Sequence, residues 1–413
     1  MKKVGMVMAF WFVLGTLLLT FQTGVYAKQS ATKEPYKIGL TSALTGPPAP
    51  GFVGIAEGFR IYLDKLNQEG GIDGHPVKIV SEDDRGVGTT AASNVRKFSQ
   101  LGVSLVVANS VTAIYPGVIG ELEKGNIPGM FACGSPREAH PPKPHPLVFG
   151  CGHGGPAQIL MGILRSVSAS ASGKPVKFGA LAADLPAARI GADLTAKAAN
   201  RMGMETVVKV IPLAIADLTP IASSFIEAKI NYLSYYGPGG IGDLLGDAMY
   251  KLGWKGIYIV NFVAQPFERT MLRWKRRENV FGYTVSEPTI LKLKAHREIS
   301  EAGEKFKITM PVDNLAVRGW WVAKTLEEIL KKAGWPATTD KLVSVMNSLY
   351  LDRRPLLAPL KWSAQDHTGN VWYAYYRWDR GRLVPALKNH WIGVGATRRI
   401  AGEVSSLGDI KPE

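Results

Sequence analysis

Cys133, His140, His145, Cys151 and His153 crowd one Pro-rich stretch of this 413-residue chain, enough sulfur and nitrogen donors to suggest metal or redox chemistry. Their spacing fits no compact zinc pattern, in which paired ligands stand a few residues apart. The intervening Pro141, Pro142, Pro144 and Pro146 suit an exposed loop, so no metal or other cofactor is expected. Cys133 and Cys151 are the only two cysteines, each ending a short apolar run, and an even count in an exported chain predicts a disulfide between them. Gly150-x-Gly152-x-x-Gly155 has the form of a dinucleotide-binding turn, yet the acid required about 20 residues later is replaced by Ser168-Ala169-Ser170-Ala171-Ser172. The chain lacks a Gly-x-Ser-x-Gly elbow, a His-Glu-x-x-His helix and a Gly-Lys-Ser/Thr phosphate loop, so no catalytic residue is assigned and an enzyme is not expected.

Export is read from the first residues. Lys2 and Lys3 precede an uncharged run from Val4 to Phe21, and Val25-Tyr26-Ala27 offers a small-residue cut site before Lys28. Cleavage after Ala27 and release into a periplasm are expected, against the alternative of an uncleaved anchor. The formal charge of +15 is spread widely, with a local cluster at Arg269, Arg273, Lys275, Arg276 and Arg277 that reads as a solvated helix face. An exported chain has no nucleic acid to meet, whereas a basic one can attract anionic solutes.

The elements that must position any site alternate strictly. Apolar strands are predicted at 36–40, 76–80, 105–108 and 128–132, separated by amphipathic helices at 52–68, 89–101 and 113–124. The rhythm restarts after the Pro-rich loop, with helices at 157–169, 187–202, 221–228 and 242–252 between strands at 176–182, 205–210, 232–236 and 256–260. Helices at 315–333 and 339–349 and strands near 371–377 and 383–386 complete it. Strand–helix alternation of this length specifies parallel sheets, here two of them in Rossmann-like α/β lobes. A ligand belongs in the crevice between them, at the carboxyl ends of the strands, where helix amino termini present unbonded N–H groups.

Leu44-Thr45-Gly46-Pro47, then Leu66-Asn67-Gln68-Glu69-Gly70-Gly71-Ile72-Asp73-Gly74, then Glu82-Asp83-Asp84 and Trp362-Ser363-Ala364-Gln365-Asp366 resemble the leucine/branched-chain amino acid-binding proteins, the type I periplasmic binding fold. The likeness implies two lobes, 36–155 with 286–369 and 156–285 with 370–413, joined by three crossovers near 152–156, 283–288 and Gly369. It implies a monomer that binds a small molecule and docks on an ABC permease complex in the inner membrane. A periplasmic sensor of the same fold is the alternative.

The resemblance also implies where the ligand sits. Ser110 and Thr112 in one loop, and Cys133, Gly134 and Ser135 in another, lie where a strand feeds a helix and are expected to hold a carboxylate. Capping is the ordinary role of any one of these hydroxyls, and the two loops together carry the expectation. Phe52 stands where the family places an aromatic lid, and Tyr235, Tyr236 and Phe262 are expected from the second lobe, with core packing as their ordinary role. Two departures bear on the ligand. Asp184-Leu185-Pro186-Ala187 replaces the family's Asp-x-Tyr-Gly, and Gly152-His153-Gly154-Gly155-Pro156 carries no acid for an ammonium group. A buried ammonium without a counter-charge is costly. An acid without an amine is therefore weighed equally with an amino acid, His153 or a tyrosine hydroxyl standing in for the missing carboxylate.

Overall fold

The computed structural model describes residues 33–151, 162–164, 167–168, 170–171, 173–212, 215–237, 239–261, 267–275, 277–369, 372–386 and 391–393. Pro35–Glu413 is one compact unit. The predicted cut site, His153, Phe262 and the crossover at 152–156 lie outside the described residues.

Five parallel strands make the first sheet in the order β2-β1-β3-β4-β5: β1 is Tyr36–Ser42, β2 Val77–Asp83, β3 Leu105–Asn109, β4 Gly129–Phe131 and β5 Val148–Gly150. β3 is buried at every residue, as a central strand covered on both faces must be. One face packs against helices α1 (Val53–Gln68) and α9 (Asn314–Ala333), the other against α2 (Gly88–Gln100) and α3 (Tyr115–Gly125).

The second sheet has eight strands, and β6 (Lys177–Ala183), β7 (Glu205–Ile211), β8 (Tyr232–Tyr236), β9 (Ile257–Asn261) and β10 (Val280–Thr284) run parallel. Helices α4 (Pro186–Arg201), α5 (Thr219–Glu227), α6 (Gly239–Lys251) and α7 (Phe267–Arg273) connect these strands. β13 (Trp372–Asp379) joins β10 antiparallel, as do β14 (Arg382–Pro385) and β15 (Trp391–Gly393) with β13. The terminal strands therefore close a parallel sheet with an antiparallel edge, a pairing that periodicity alone does not distinguish. Between β10 and β13 the chain returns to the first sheet as α8 (Lys294–Lys305), α9, α10 (Thr339–Met346) and the small β11–β12 hairpin (Tyr350–Leu351 with Leu360–Lys361).

α1 and α9 meet backbone to backbone. A Cβ on Gly58 would lie 2.0 Å from the Ala316 carbonyl oxygen, and one on Gly319 would lie 1.9 Å from that of Ile55. Glycine is required at both positions because any side chain would push the helices apart. Gly319→Ala is expected to destabilise the chain by about 2 kcal/mol or more through this overpacking, read from urea unfolding, with far-UV circular dichroism showing the native helix content retained.

Candidate functional site

The carboxyl ends of β1, β2 and β3 carry a buried polar network. Asp84 accepts from the Thr41 hydroxyl (2.9 Å), the Ser110 hydroxyl (2.6 Å) and the Gly86 amide (2.8 Å). Burial raises its carboxyl above the ordinary range, and those donors offset the rise only in part. Asn109 donates to the Ser42 hydroxyl and the Phe52 carbonyl, both at 2.9 Å, while its own Oδ1 is buried without a partner. Beside this network Phe52, Ala43 and Cys133 form a small apolar floor, with Val111 at its margin.

The first-lobe residues expected from sequence do gather here, with different duties. Thr112 is exposed and opens the 3-10 turn Thr112–Ile114 that leads into α3. Ser110 is fully buried, and its hydroxyl hydrogen is committed to Asp84. Gly134 donates its amide to the Tyr115 hydroxyl at 3.0 Å, which returns a hydrogen bond to the Gly134 carbonyl at 2.9 Å. Ser135 turns toward β5: a Cβ on Gly150 would sit 2.4 Å from its hydroxyl, which is buried without a partner. Phe52 packs on the floor at 5% exposure instead of standing open as a lid.

The second-lobe tyrosines are core residues in this structure. Tyr236 donates to the Thr195 hydroxyl at 2.6 Å, and Thr195 donates onward to the Gly191 carbonyl in α4. Tyr235, on the opposite face of β8, is packed under the start of α6, where a Cβ on Gly242 would lie 2.9 Å from its ring. Its hydroxyl is buried without a partner. Strand-end tyrosines next to a Gly-rich turn suggest loop chemistry, but those glycines let α6 close over the ring.

The expected disulfide is not formed: Cys133 and Cys151 are both buried thiols. Phe131 pairs with Gly150, and the Cys151 amide donates to the Phe131 carbonyl at 3.0 Å. Cys151 consequently shares a face with Ala132, in the core beneath α1 and α9, whereas Cys133 points to the Phe52 floor. Side chains alternate along a strand, so one step of offset sends the two thiols to opposite faces. Burial pushes the Cys151 thiol up to about 11 and also raises that of Cys133, keeping both protonated at neutral pH. A thiol titration without reductant is expected to find two reactive groups after denaturation and none in the native protein.

Sequence reading missed the residues that bridge the two sheets. The Phe267 amide of α7 donates to Asn314 Oδ1 (2.8 Å), and the Asn314 amide of α9 donates to Glu268 (3.3 Å), so each helix caps the other. Glu268 also accepts from the Thr289 amide (2.6 Å) and hydroxyl (2.8 Å). Asp313, the N-cap of α9, accepts from Leu315 and Ala316. Arg318, one turn into α9, holds the Ala132 and Cys133 carbonyls. A charged residue set within the apolar run Leu315, Val317, Trp320 and Trp321 was the available signal. Among the described residues no trio of His, Cys, Asp or Glu is arranged to hold a metal. A surface groove of about 580 Å³, lined by Glu123, His145 and α10, lies instead at the amino ends of β4 and β5.

Burial first, and the Glu268 charge second, push the Asp313 carboxyl up to about 6. An unfolded aspartate titrates near 4, so the native state holds the proton through the window from about 4 to 6, and this group's contribution to stability is lost as pH rises through it. Asp313→Asn keeps a capping oxygen and removes the titration. Relative to wild type, the variant is expected to gain about 2 kcal/mol between pH 4 and pH 7; parallel pH profiles in urea melts would count against buried ionisation as the cause.

Residues 35–382 match the sequence profile of a family described as periplasmic binding protein. The chain is 29% identical over 97 residues to Leu/Ile/Val-binding protein homolog 4 of Brucella abortus, a match spanning 24% of this chain and 23% of that relative's length. A fatty acid ABC transporter substrate-binding protein from Thermomonospora curvata superposes with a TM-score of 0.70 at 18% identity, covering 91% of this chain and 96% of the other. A solute-binding protein of an ABC transporter from R. palustris, in complex with benzoate, gives 0.70 at 15% identity over 90% and 100%. At such identities the superpositions establish the fold, two lobes with mostly parallel sheets. No helix among the described residues is long and apolar enough to cross a membrane.

Proposed function

The chain belongs to the periplasmic binding protein family, and on that footing we propose that it traps a small organic carboxylate between two lobes and presents it to an ABC permease complex in the inner membrane. It works as a monomer, by binding and not by catalysis, after export and cleavage behind Ala27. The lobes are residues 36–155 with 286–369, and 156–285 with 370–413. Ligand contacts to both stabilise the closed arrangement over the open one, which is what a permease can read.

The observation that carries this reading is the state of the acid beside the apolar floor. Both oxygens of Asp84 already accept hydrogen bonds, from Thr41, Ser110 and Gly86, and burial raises its carboxyl. It is poorly suited to meet an ammonium group. Phe52, Ala43 and Cys133 pack as an apolar floor beneath the strand ends, the kind of surface a ring or alkyl chain would meet once the site opens, while Thr112 stands exposed at a helix start, where a carboxylate is stabilised by hydroxyl and N–H donors. The benzoate complex and the fatty acid transporter protein among the similar structures are consistent with such a guest.

Calorimetry with benzoate, octanoate and leucine tests the reading. One of the two acids is expected to bind with a dissociation constant of about 10 μM or tighter, to raise the melting temperature and to reduce the radius of gyration in scattering. Tight leucine binding with neither acid bound would overturn it. Thr112→Val, at an exposed position, is expected to weaken the bound acid roughly tenfold while changing stability by less than about 0.5 kcal/mol.

A further inference from the structure

Arg318 follows the first turn of α9 and is only 2% exposed. Its Nη2 donates to the carbonyl oxygens of Ala132 (3.1 Å) and Cys133 (3.0 Å), where β4 runs into the Cys133–Gly134–Ser135 loop. A trans peptide points its C=O and N–H in opposite directions. Drawing these two oxygens toward α9 therefore turns the amides of Cys133 and Gly134 away from it, and that of Gly134 reaches Tyr115. The same contact neutralises two carbonyl dipoles that would otherwise repel an anion at the strand's end.

Behind Arg318 lies a second buried cation. Arg353 is 1% exposed, its Nε donates to the Ala358 carbonyl at 2.9 Å, and its Nη2 is buried with no hydrogen-bond partner. No carboxylate among the described residues forms an ion pair with it. It interacts electrostatically with Cys151 and Arg318, and burial lowers its pKa to about 10, so it is charged at neutral pH. The loop that carries it is tied to the crossover near Ser286, through the Glu287 amide and the Leu356 carbonyl (2.7 Å). A buried cation lacking a counter-charge is costly, and a guest of opposite charge would offset that cost.

We propose that Arg318, with Arg353 behind it, is the charge-selecting device of the cleft: it positions the 133–135 loop and makes the first-lobe wall electropositive, so that the guest must carry a carboxylate in place of a neutral amide. This rests on the ligand class proposed above. Arg318 is a positioning residue that acts on the guest through the loop and through its field.

The test compares each acid with its amide, benzoate with benzamide and octanoate with octanamide, by calorimetry on the full mature chain. Wild type is expected to bind at least one acid about tenfold or more tighter than the matching amide. Arg318→Gln is expected to erase most of that ratio by weakening the acid about tenfold while leaving the amide within roughly twofold. Arg318→Lys, which keeps the charge and loses the fork, falls between them. Acid and amide weakening together would make Arg318 merely structural and overturn the proposal, as would an unchanged ratio. Should the glutamine variant fail to fold, the lysine variant carries the test, and a ratio within about twofold of wild type refutes it. A wild type that binds neither acid overturns the ligand class and this inference with it, whereas acid binding with an unchanged ratio overturns this inference alone.

Discussion

Two glycines, Gly58 and Gly319, let the backbones of α1 and α9 touch, and most of what is functional about the first lobe depends on that contact. α9 is separated from α1 in sequence by the five parallel strands of the second sheet, so it returns to the first lobe without a covalent tether nearby. Close backbone approach fixes its depth and rotation more tightly than side-chain packing would, because neither partner has a rotamer to adjust. With α9 seated, Asn314 reaches α7, and Arg318 reaches the end of β4. One helix thus carries both the joint between the sheets and the charge beneath the strand ends.

Burial acts on buried groups of both charges around those strand ends. Burial displaces two buried acids, Asp84 and Asp313, toward their neutral forms. Buried Arg353 stays cationic because its intrinsic pKa is so far above neutrality that even full desolvation leaves it protonated.

At the joint between the sheets, α7 and α9 cap one another's amino termini through Asn314 and Glu268, and Thr289 adds two further bonds to the same carboxylate. These bonds are directional and few, in contrast to the broad apolar packing inside each lobe.

Much of the architecture was legible in the chain as written. Strand–helix alternation with central strands lacking polar positions specifies parallel sheets, because a strand covered on both faces must be apolar throughout, and the Gly-Gly-Ile-x-Gly and Glu-Asp-Asp segments placed the chain in its family. The loop at 110–112 was legible for the same reason, since a helix follows β3, whereas 133–135 was expected to feed a helix and is followed only by the 3-10 turn Arg137–Ala139 before β5. The antiparallel edge formed by β13, β14 and β15, the core roles of Tyr235 and Tyr236, the separation of Cys133 from Cys151 and the reach of Arg318 were decided only in three dimensions. Each depends on which face of an element is turned toward a partner distant in sequence. Local periodicity records that an element has two faces, but only the packed chain settles what each face meets.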